Sequence, residues 1–311
     1  MNEQTPEWTT GPQARIAGRI AELVERAQAA DGVAPISEQA VLSLTATDGH
    51  EGTSHLPVER DGELVAYANL VAAHGDHPAM AEAVVDPRAR GRGIGATLVA
   101  AALSAGGPGT RIWAHGNLAP ARAVAGRLGL SVVRELWQMR RPLAGDAATA
   151  ELPPLLVPAD LILRTYAGPA DDAEILRVNN AAFDWHPEQG GWSGREIQAR
   201  RSASWFDPKG LFIAVDRSEP GRILGFHWTK VHEPGEHGPD AVGEVYVVAV
   251  DPAVQGRGLG AILTLAGLHY LRDRGLPEVL LYTEADNAAA VRTYTRLGFA
   301  TAHIDAAYAT P

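Results

Sequence analysis

Val250-Asp251-Pro252-Ala253-Val254-Gln255-Gly256-Arg257-Gly258-Leu259-Gly260 ends one apolar run and opens a helix-like one. Nearly the same phrase stands earlier, as Val85-Asp86-Pro87-Arg88-Ala89-Arg90-Gly91-Arg92-Gly93-Ile94-Gly95. A strand that turns through glycines into a helix leaves a row of backbone N–H groups free at the positive end of the helix dipole. Such a turn suits a phosphate group. Its duplication predicts two related domains, each with its own anion-binding turn.

The segments around each copy follow the same order. In the first half an amphipathic helix is predicted over 16–26 and strands over 63–71 and 80–85. The glycine turn comes next, then an Ala-rich helix to 103, a strand over 111–114 and a helix ending Arg127-Leu128-Gly129. The second half has strands over 211–215, 223–231 and 242–250, the turn, a helix through 271, a strand over 279–283 and a helix ending Arg296-Leu297-Gly298-Phe299. A last strand follows each copy. This order predicts a mixed-sheet α/β (α+β) fold in two tandem domains, 1–142 and 161–311. Between them 143–160, rich in Pro and Ala and containing Leu152-Pro153-Pro154, reads as a linker.

A net charge of -10 and the lack of any basic tract argue against a nucleic-acid partner. No stretch nears the roughly 18 apolar residues of a membrane span, and the first residues lack the apolar core of a leader. A cytoplasmic monomer without a membrane partner is expected. Cysteine is absent, which excludes disulfides, thiolate metal sites and a Cys nucleophile. His50, His55, His74 and His77 show no helical metal-ligand spacing and read as surface residues, so no metal is expected.

Three phosphate patterns compete for the turn. A P-loop needs Gly-Lys-Ser/Thr, and neither copy has a lysine there. The dinucleotide pattern G-x-G-x-x-G/A is met by Gly256, Gly258 and Ala261 and by Gly91, Gly93 and Ala96, but such a match alone is a weak signal. Arg/Gln-x-x-Gly-x-Gly after Val-Asp-Pro fits both copies and resembles the pyrophosphate turn of the GNAT acyltransferases, which use acyl-coenzyme A. Asp31-Gly32-Val33-Ala34-Pro35, Asn179-Asn180-Ala181-Ala182-Phe183, His186-Pro187-Glu188-Gln189-Gly190-Gly191-Trp192, Gly225-Phe226-His227-Trp228-Thr229-Lys230 and Gly243-Glu244-Val245-Tyr246-Val247 narrow the likeness. They resemble the mycothiol synthase family, tandem GNAT enzymes, over nearly the whole chain.

The resemblance implies acetyl transfer from acetyl-CoA to the cysteinyl amine of a thiol-containing pseudodisaccharide, desacetylmycothiol, as the last step of mycothiol biosynthesis. It implies that Val248, Ala249 and Val250, then Gln255, Gly256, Arg257, Gly258, Leu259, Gly260 and Ala261, hold acetyl-CoA. The helix opening Asn287, Ala288, Ala289, Ala290, Val291 and Arg292 is implied with them. Ala83, Val84, Val85, Arg90, Gly91, Arg92, Gly93, Ile94 and Gly95 form the corresponding set in the first half. Glu244 is the implied general base and Tyr294 the implied acid, with substrate contacts at Glu38, Glu188, Lys230, Glu244 and Tyr282.

Read from the residues alone, Glu244 is equally a solvated strand-edge carboxylate, Tyr294 an amphipathic-helix residue against the sheet, and Glu38 a residue of a short helix's first turn. Lys230 is one of two lysines, with Lys209. Aligning the copies on Arg-Leu-Gly sets Ala125 opposite Tyr294, Leu118 opposite Asn287 and Trp113 near Tyr282, and aligning on Asp-Pro sets Ala79 opposite Glu244. The first domain is therefore expected to be non-catalytic. Two alternatives stay open: acetylation of another small polar amine, and an acyl-CoA-binding sensor without transfer.

Overall fold

The computed structural model describes residues 7–10, 14–44, 52–75, 77–145, 151–184 and 189–311. In chain order these form β1 (Thr9–Thr10), α1 (Ala14–Asp31), α2 (Glu38–Leu42), β2 (Thr53–Arg60), β3 (Glu63–Val71), β4 (Met80–Val85), α3 (Ile94–Gly106), β5 (Arg111–Ala114), α4 (Ala119–Arg127) and β6 (Ser131–Pro142). There follow β7 (Leu161–Thr165), α5 (Asp172–Ala182), α6 (Gly194–Arg201), β8 (Leu211–Asp216), β9 (Ile223–His232), β10 (Val242–Val250), α7 (Leu259–Asp273), β11 (Glu278–Glu284), α8 (Ala288–Arg296) and β12 (Ala300–Ala309).

Two compact units divide the chain: 1–136 with 303–311, and 137–302. The sequence division at 142 and 161 differs from this at both ends, since 137–142 go with the second unit and 303–311 with the first. The linker reading does not hold for the described part of 143–160. Leu143 and Leu152 are buried in the second unit's core, and Arg141 donates to the Glu151 carbonyl at 2.8 Å. Residues 146–150 lie outside the described residues.

The first unit's sheet runs β1-β2-β3-β4-β5-β12, with β4 and β5 parallel and β5 and β12 antiparallel. Helix α1 covers one face because Ile20, Leu23 and Ala27, at helical spacing, meet Leu64, Tyr67 and Val84. Each such large apolar side chain contributes about 1.5–3 kcal/mol on burial. The second unit's sheet runs β6-β11-β10-β9-β8-β7, with β10 and β11 parallel. Ile175 and Val178 of α5 and Ile197 of α6 pack against Ile213, Phe226, Trp228 and Val247 on one face. Leu265, Leu268 and Leu271 of α7 pack with Val245, Val279 and Leu281 on the other. At Gly267 an added Cβ would lie 2.1 Å from the His227 ring, so α7 can approach β9 only through a glycine.

His55 corrects the surface reading. It lies in β2, 1% exposed, with Nδ1 2.8 Å from the Tyr67 hydroxyl, and burial lowers its pKa. The rings of His74 and His77 stand 4.8 Å apart in the β3–β4 loop, and His50 is outside the described residues. Among the described residues no helix is long and apolar enough to cross a membrane.

Candidate active site

The two glycine turns are built alike. Gly91 and Gly93 have φ of 76° and 84°, and Gly256 and Gly258 have 82° and 79°, a region that side chains other than glycine rarely enter. Gly93 and Gly258 are the N-caps of α3 and α7 and supply no side-chain cap, so the first amides of each helix stay open to an anion. The residue before the turn folds back on its strand: Arg90 Nε donates to the Val85 carbonyl at 3.1 Å, and Gln255 Nε2 to that of Val250 at 3.4 Å. This explains why both Arg and Gln serve there. Arg90 also makes a bidentate pair with Asp31, at 2.7 Å for both bonds. Arg257 pairs with Asp160 at 2.5 Å.

Each turn is anchored by its Asp-Pro aspartate. Asp86 accepts from Arg88 and from Arg26 of α1, and the Arg88 guanidinium chiefly holds its carboxyl well below the usual carboxylate range. Asp251 accepts from Arg177 of α5 at 2.8 Å. Burial works against its charge, and the arginine outweighs burial to keep its pKa low.

Strands β10 and β11 pair only at Gly243↔Val279 and Glu244↔Leu280 and then part. Val248, Ala249 and Val250 remain paired to β9 on one side and face the gap on the other. That strand edge, unpaired to β11, leads to the α7 amides, a run of backbone donors and acceptors that fits an extended ligand ending in a pyrophosphate. Beyond the gap Asn287 caps α8, its Oδ1 accepting from the Ala290 amide at 3.1 Å, so α8 opens with Ala288, Ala289, Ala290, Val291 and Arg292 beside it.

Glu244 is 8% exposed, which removes the strand-edge reading. Its cross-strand partner on β9 is Lys230, and directly opposite residues share a face of the sheet. Lys230 Nζ sits 5.5 Å from the centre of the Trp205 ring. Tyr282 lies two residues beyond Leu280, the parallel partner of Glu244, and so shares that face; its hydroxyl accepts from Gln138 Nε2 at 2.7 Å. Lys230, Glu244 and Tyr282 are therefore gathered on the α5–α6 face. Tyr294 stands on the other, packed with Val245 and Val248 and edge-on to Phe299 at 5.8 Å. Burial pushes its phenol up to about 12, so it is protonated at neutral pH. The gap between β10 and β11 joins the two faces.

Glu38 opens α2 of the first unit, and nothing is described of its side chain; Glu188 lies outside the described residues. Two site residues escaped the sequence reading. His232 Nε2 is 2.7 Å from Glu244 Oε2, and His232 Nδ1 is 2.7 Å from Glu236 Oε2. Strand alternation from Lys230 points to His232, but the strand was predicted to end at Val231.

The first unit lacks these groups. A bulge between Val245 and Val247 inserts one residue into β10 that β4 does not have, so register sets Met80, rather than Ala79, opposite Glu244. Leu118 caps α4 without a side-chain bond, and Ala125 is buried at the position of Tyr294. An apolar cavity of about 400 Å³ remains at this turn, lined by Ala83, Val84, Val85, Gly93, Leu118 and Ala125 among others.

The acetyltransferase (GNAT) family model matches residues 21–130 and 178–299. Curated mycothiol acetyltransferases match almost end to end: that of Nocardia farcinica is 65% identical over 99% of both chains, and that of Mycolicibacterium smegmatis 54% identical over 97% of this chain and 98% of its own. The chain belongs to the GNAT family and, within it, to the mycothiol acetyltransferases. Among solved structures, a GCN5-related N-acetyltransferase from Sphaerobacter thermophilus superposes with TM-score 0.70 at 22% identity, covering 97% of this chain and 94% of that one. A tandem GNAT protein from the clavulanic acid biosynthesis pathway gives 0.66 at 19%, covering 98% of each chain. At these identities the likeness concerns the GNAT fold. Both glycine turns lie within the stretches that the family model matches, and among the described residues Glu244, Asn287 and Tyr294 belong to the second of these.

Proposed function

We propose that this protein transfers the acetyl group of acetyl-CoA to the cysteinyl amine of desacetylmycothiol, and that the second unit alone does the chemistry. The observation that carries this reading is the gap between β10 and β11, with the buried carboxylate of Glu244 on one face and the protonated phenol of Tyr294 on the other. Gly256, Gly258 and the α7 amides hold the pyrophosphate, and Val248–Val250 pair along the pantetheine arm. Glu244 takes a proton from the substrate ammonium, whose α-amino group, at a pKa of about 7.7–8.0, is mostly protonated at neutral pH. The freed amine bonds to the acetyl carbon, the carbon–sulfur bond breaks, and Tyr294 gives its proton to the departing thiolate. Tyr294 recovers a proton from the acylated nitrogen, which balances the cycle with one proton released to solvent.

Lys230 and Tyr282 face the same side as Glu244 and act on the substrate's hydroxyl-rich rings, with Glu188 as a further contact. In this reading the first unit holds acetyl-CoA in its cavity without turning it over. The protein works as a cytoplasmic monomer with no nucleic-acid or membrane partner and no metal.

The test is incubation with acetyl-CoA and the cysteinyl glucosaminyl-inositol, following free CoA thiol and product mass. Glu244→Gln is expected to lower kcat by about 10²–10⁴, the range for loss of a general base, while Arg92→Ala changes it little. Release of CoA with other amines only, or with none, would favour the other-amine enzyme or the sensor respectively.

A further inference from the structure

Glu244 does not stand alone on its face of the sheet. His232, 5% exposed, fills the space between it and Glu236, with each ring nitrogen 2.7 Å from a carboxylate oxygen. The two carboxylates differ in setting. The Glu244 side chain is 11% exposed and lines the site, whereas that of Glu236, in the β9–β10 turn, is 51% exposed. An ionised carboxylate only accepts hydrogen bonds, so both short contacts can be hydrogen bonds only if both ring nitrogens carry protons or one carboxyl does. A ring clamped in this way cannot rotate, and its donor direction toward Glu244 Oε2 is set from the solvent side.

We propose that His232, oriented by Glu236, is a positioning residue that donates from Nε2 to Glu244 Oε2, fixing the base in its ionised form and reserving Oε1 for the substrate ammonium. The inference rests on the reading of Glu244 as the base. No proton need pass through the ring: Glu244 takes the ammonium proton on Oε1 and returns it to water when product leaves, while His232 keeps both of its own.

Other charged groups around the ring fit this arrangement. Lys230 lies two residues along β9 on the same face. The His237 ring stands edge-on at 4.3 Å, with burial as the chief cause lowering its pKa. Arg140, paired to Glu278 at 2.6 Å, donates to the His237 carbonyl at 3.0 Å and steadies the turn that carries Glu236. His232, Glu236 and His237 bring ligand-type atoms within 4.8 Å of one another, but with both nitrogens of His232 donating to carboxylates neither has a lone pair to offer a cation.

The test is kcat and KM against pH for His232→Gln, Glu236→Gln, Glu244→Gln and the double variant His232→Gln/Glu244→Gln. Loss of a hydrogen bond to a charged group is expected to lower kcat of His232→Gln by about ten- to a hundredfold. KM for acetyl-CoA should stay within about twofold, since the turn and the β10 edge are untouched, and the acid limb should move to higher pH. Glu236→Gln, at an exposed position that folding tolerates, should shift the same limb in the same direction by a smaller amount. In the Glu244→Gln background the His232 substitution should add less than about twofold, because the two act as a unit.

Equal losses from His232→Gln in both backgrounds, or an unchanged profile in Glu236→Gln, overturn the proposal, as does activity that a chelator abolishes and Zn2+ restores. Near-normal turnover of Glu244→Gln would instead overturn the assignment of the base, and that single variant separates the two failures.

Discussion

Asn287 and Leu118 occupy the same place, the N-cap of a nine-residue helix that follows the fifth strand of its unit's repeat, and only Asn287 bonds the helix it opens. Tyr294 lies seven residues on, two turns down the same helix. Asn287→Ala is expected to cost about 1 kcal/mol of stability and to lower kcat by loosening the first turn of α8. Thermal unfolding and steady-state rates check this, and Asn287→Asp, which keeps the cap, should restore the stability.

Tyr294→Phe removes the phenolic proton and leaves the packing on Val245, Val248 and Phe299. Turnover is expected to drop by about a hundredfold, with KM for acetyl-CoA nearly constant. Because burial holds the phenol at about 12, no alkaline limb of the wild-type profile near pH 9 or 10 should come from it. A limb there that disappears in Tyr294→Phe would contradict the assignment.

Gly267→Ala drives a methyl group into the His227 ring, which is fully buried and held by the Leu263 carbonyl at 2.8 Å. Neither partner has room to yield, so the variant is expected to lose about 1–3 kcal/mol or more. Denaturant unfolding measures it. Gly256 has open space around it, and there Gly256→Ala should act through its positive φ rather than through a clash.

In the first unit His115 bridges Glu82 at 2.7 Å and Asp305 at 3.5 Å. Burial opposes its charge, but hydrogen bonds and attraction from Asp305 and Glu82 outweigh this and raise its pKa to about 9. The folded value lies above the unfolded one of about 6.5, so the stabilisation is full below pH 6.5 and is lost as pH rises to 9. A loss on the order of a few kcal/mol between those limits is expected. His115→Gln should flatten that decline in melting temperature, which scanning calorimetry at several pH values can follow.

The strands that carry the turns were legible to the residue. β3, β4, β5 and β10 keep their predicted bounds; Gly62 precedes β3 and Asp-Pro follows the apolar runs of β4 and β10, and these signals are local. β2 was missed because Pro57 and the charged Glu59-Arg60 end interrupt its run, and α6 because only Ile197 of its eight residues is buried, too few for a visible stripe. His55 was misread for the same reason: its burial depends on pairing with β3, which no local pattern encodes. At the site, residue spacing located the turns, and Asn287 came with the family likeness. The roles of Glu244 and Tyr294 came from the family likeness, because a carboxylate's burial and the parting of two strands are tertiary facts. The bulge in β10 also escaped, and with it the one-residue shift that separates the two copies.

The strand that completes the first sheet is the last in sequence order, β12, with Ala306, Ala307 and Tyr308 laid against Ala114, Trp113 and Ile112. Synthesis runs from the other end. The first half of this protein thus emerges from the ribosome well before the segment that closes it, with the edge of β5 open and Ile112 deprived of its cover. Its folding waits on β12, so a product truncated before Ala306 would be defective in the half that was made first.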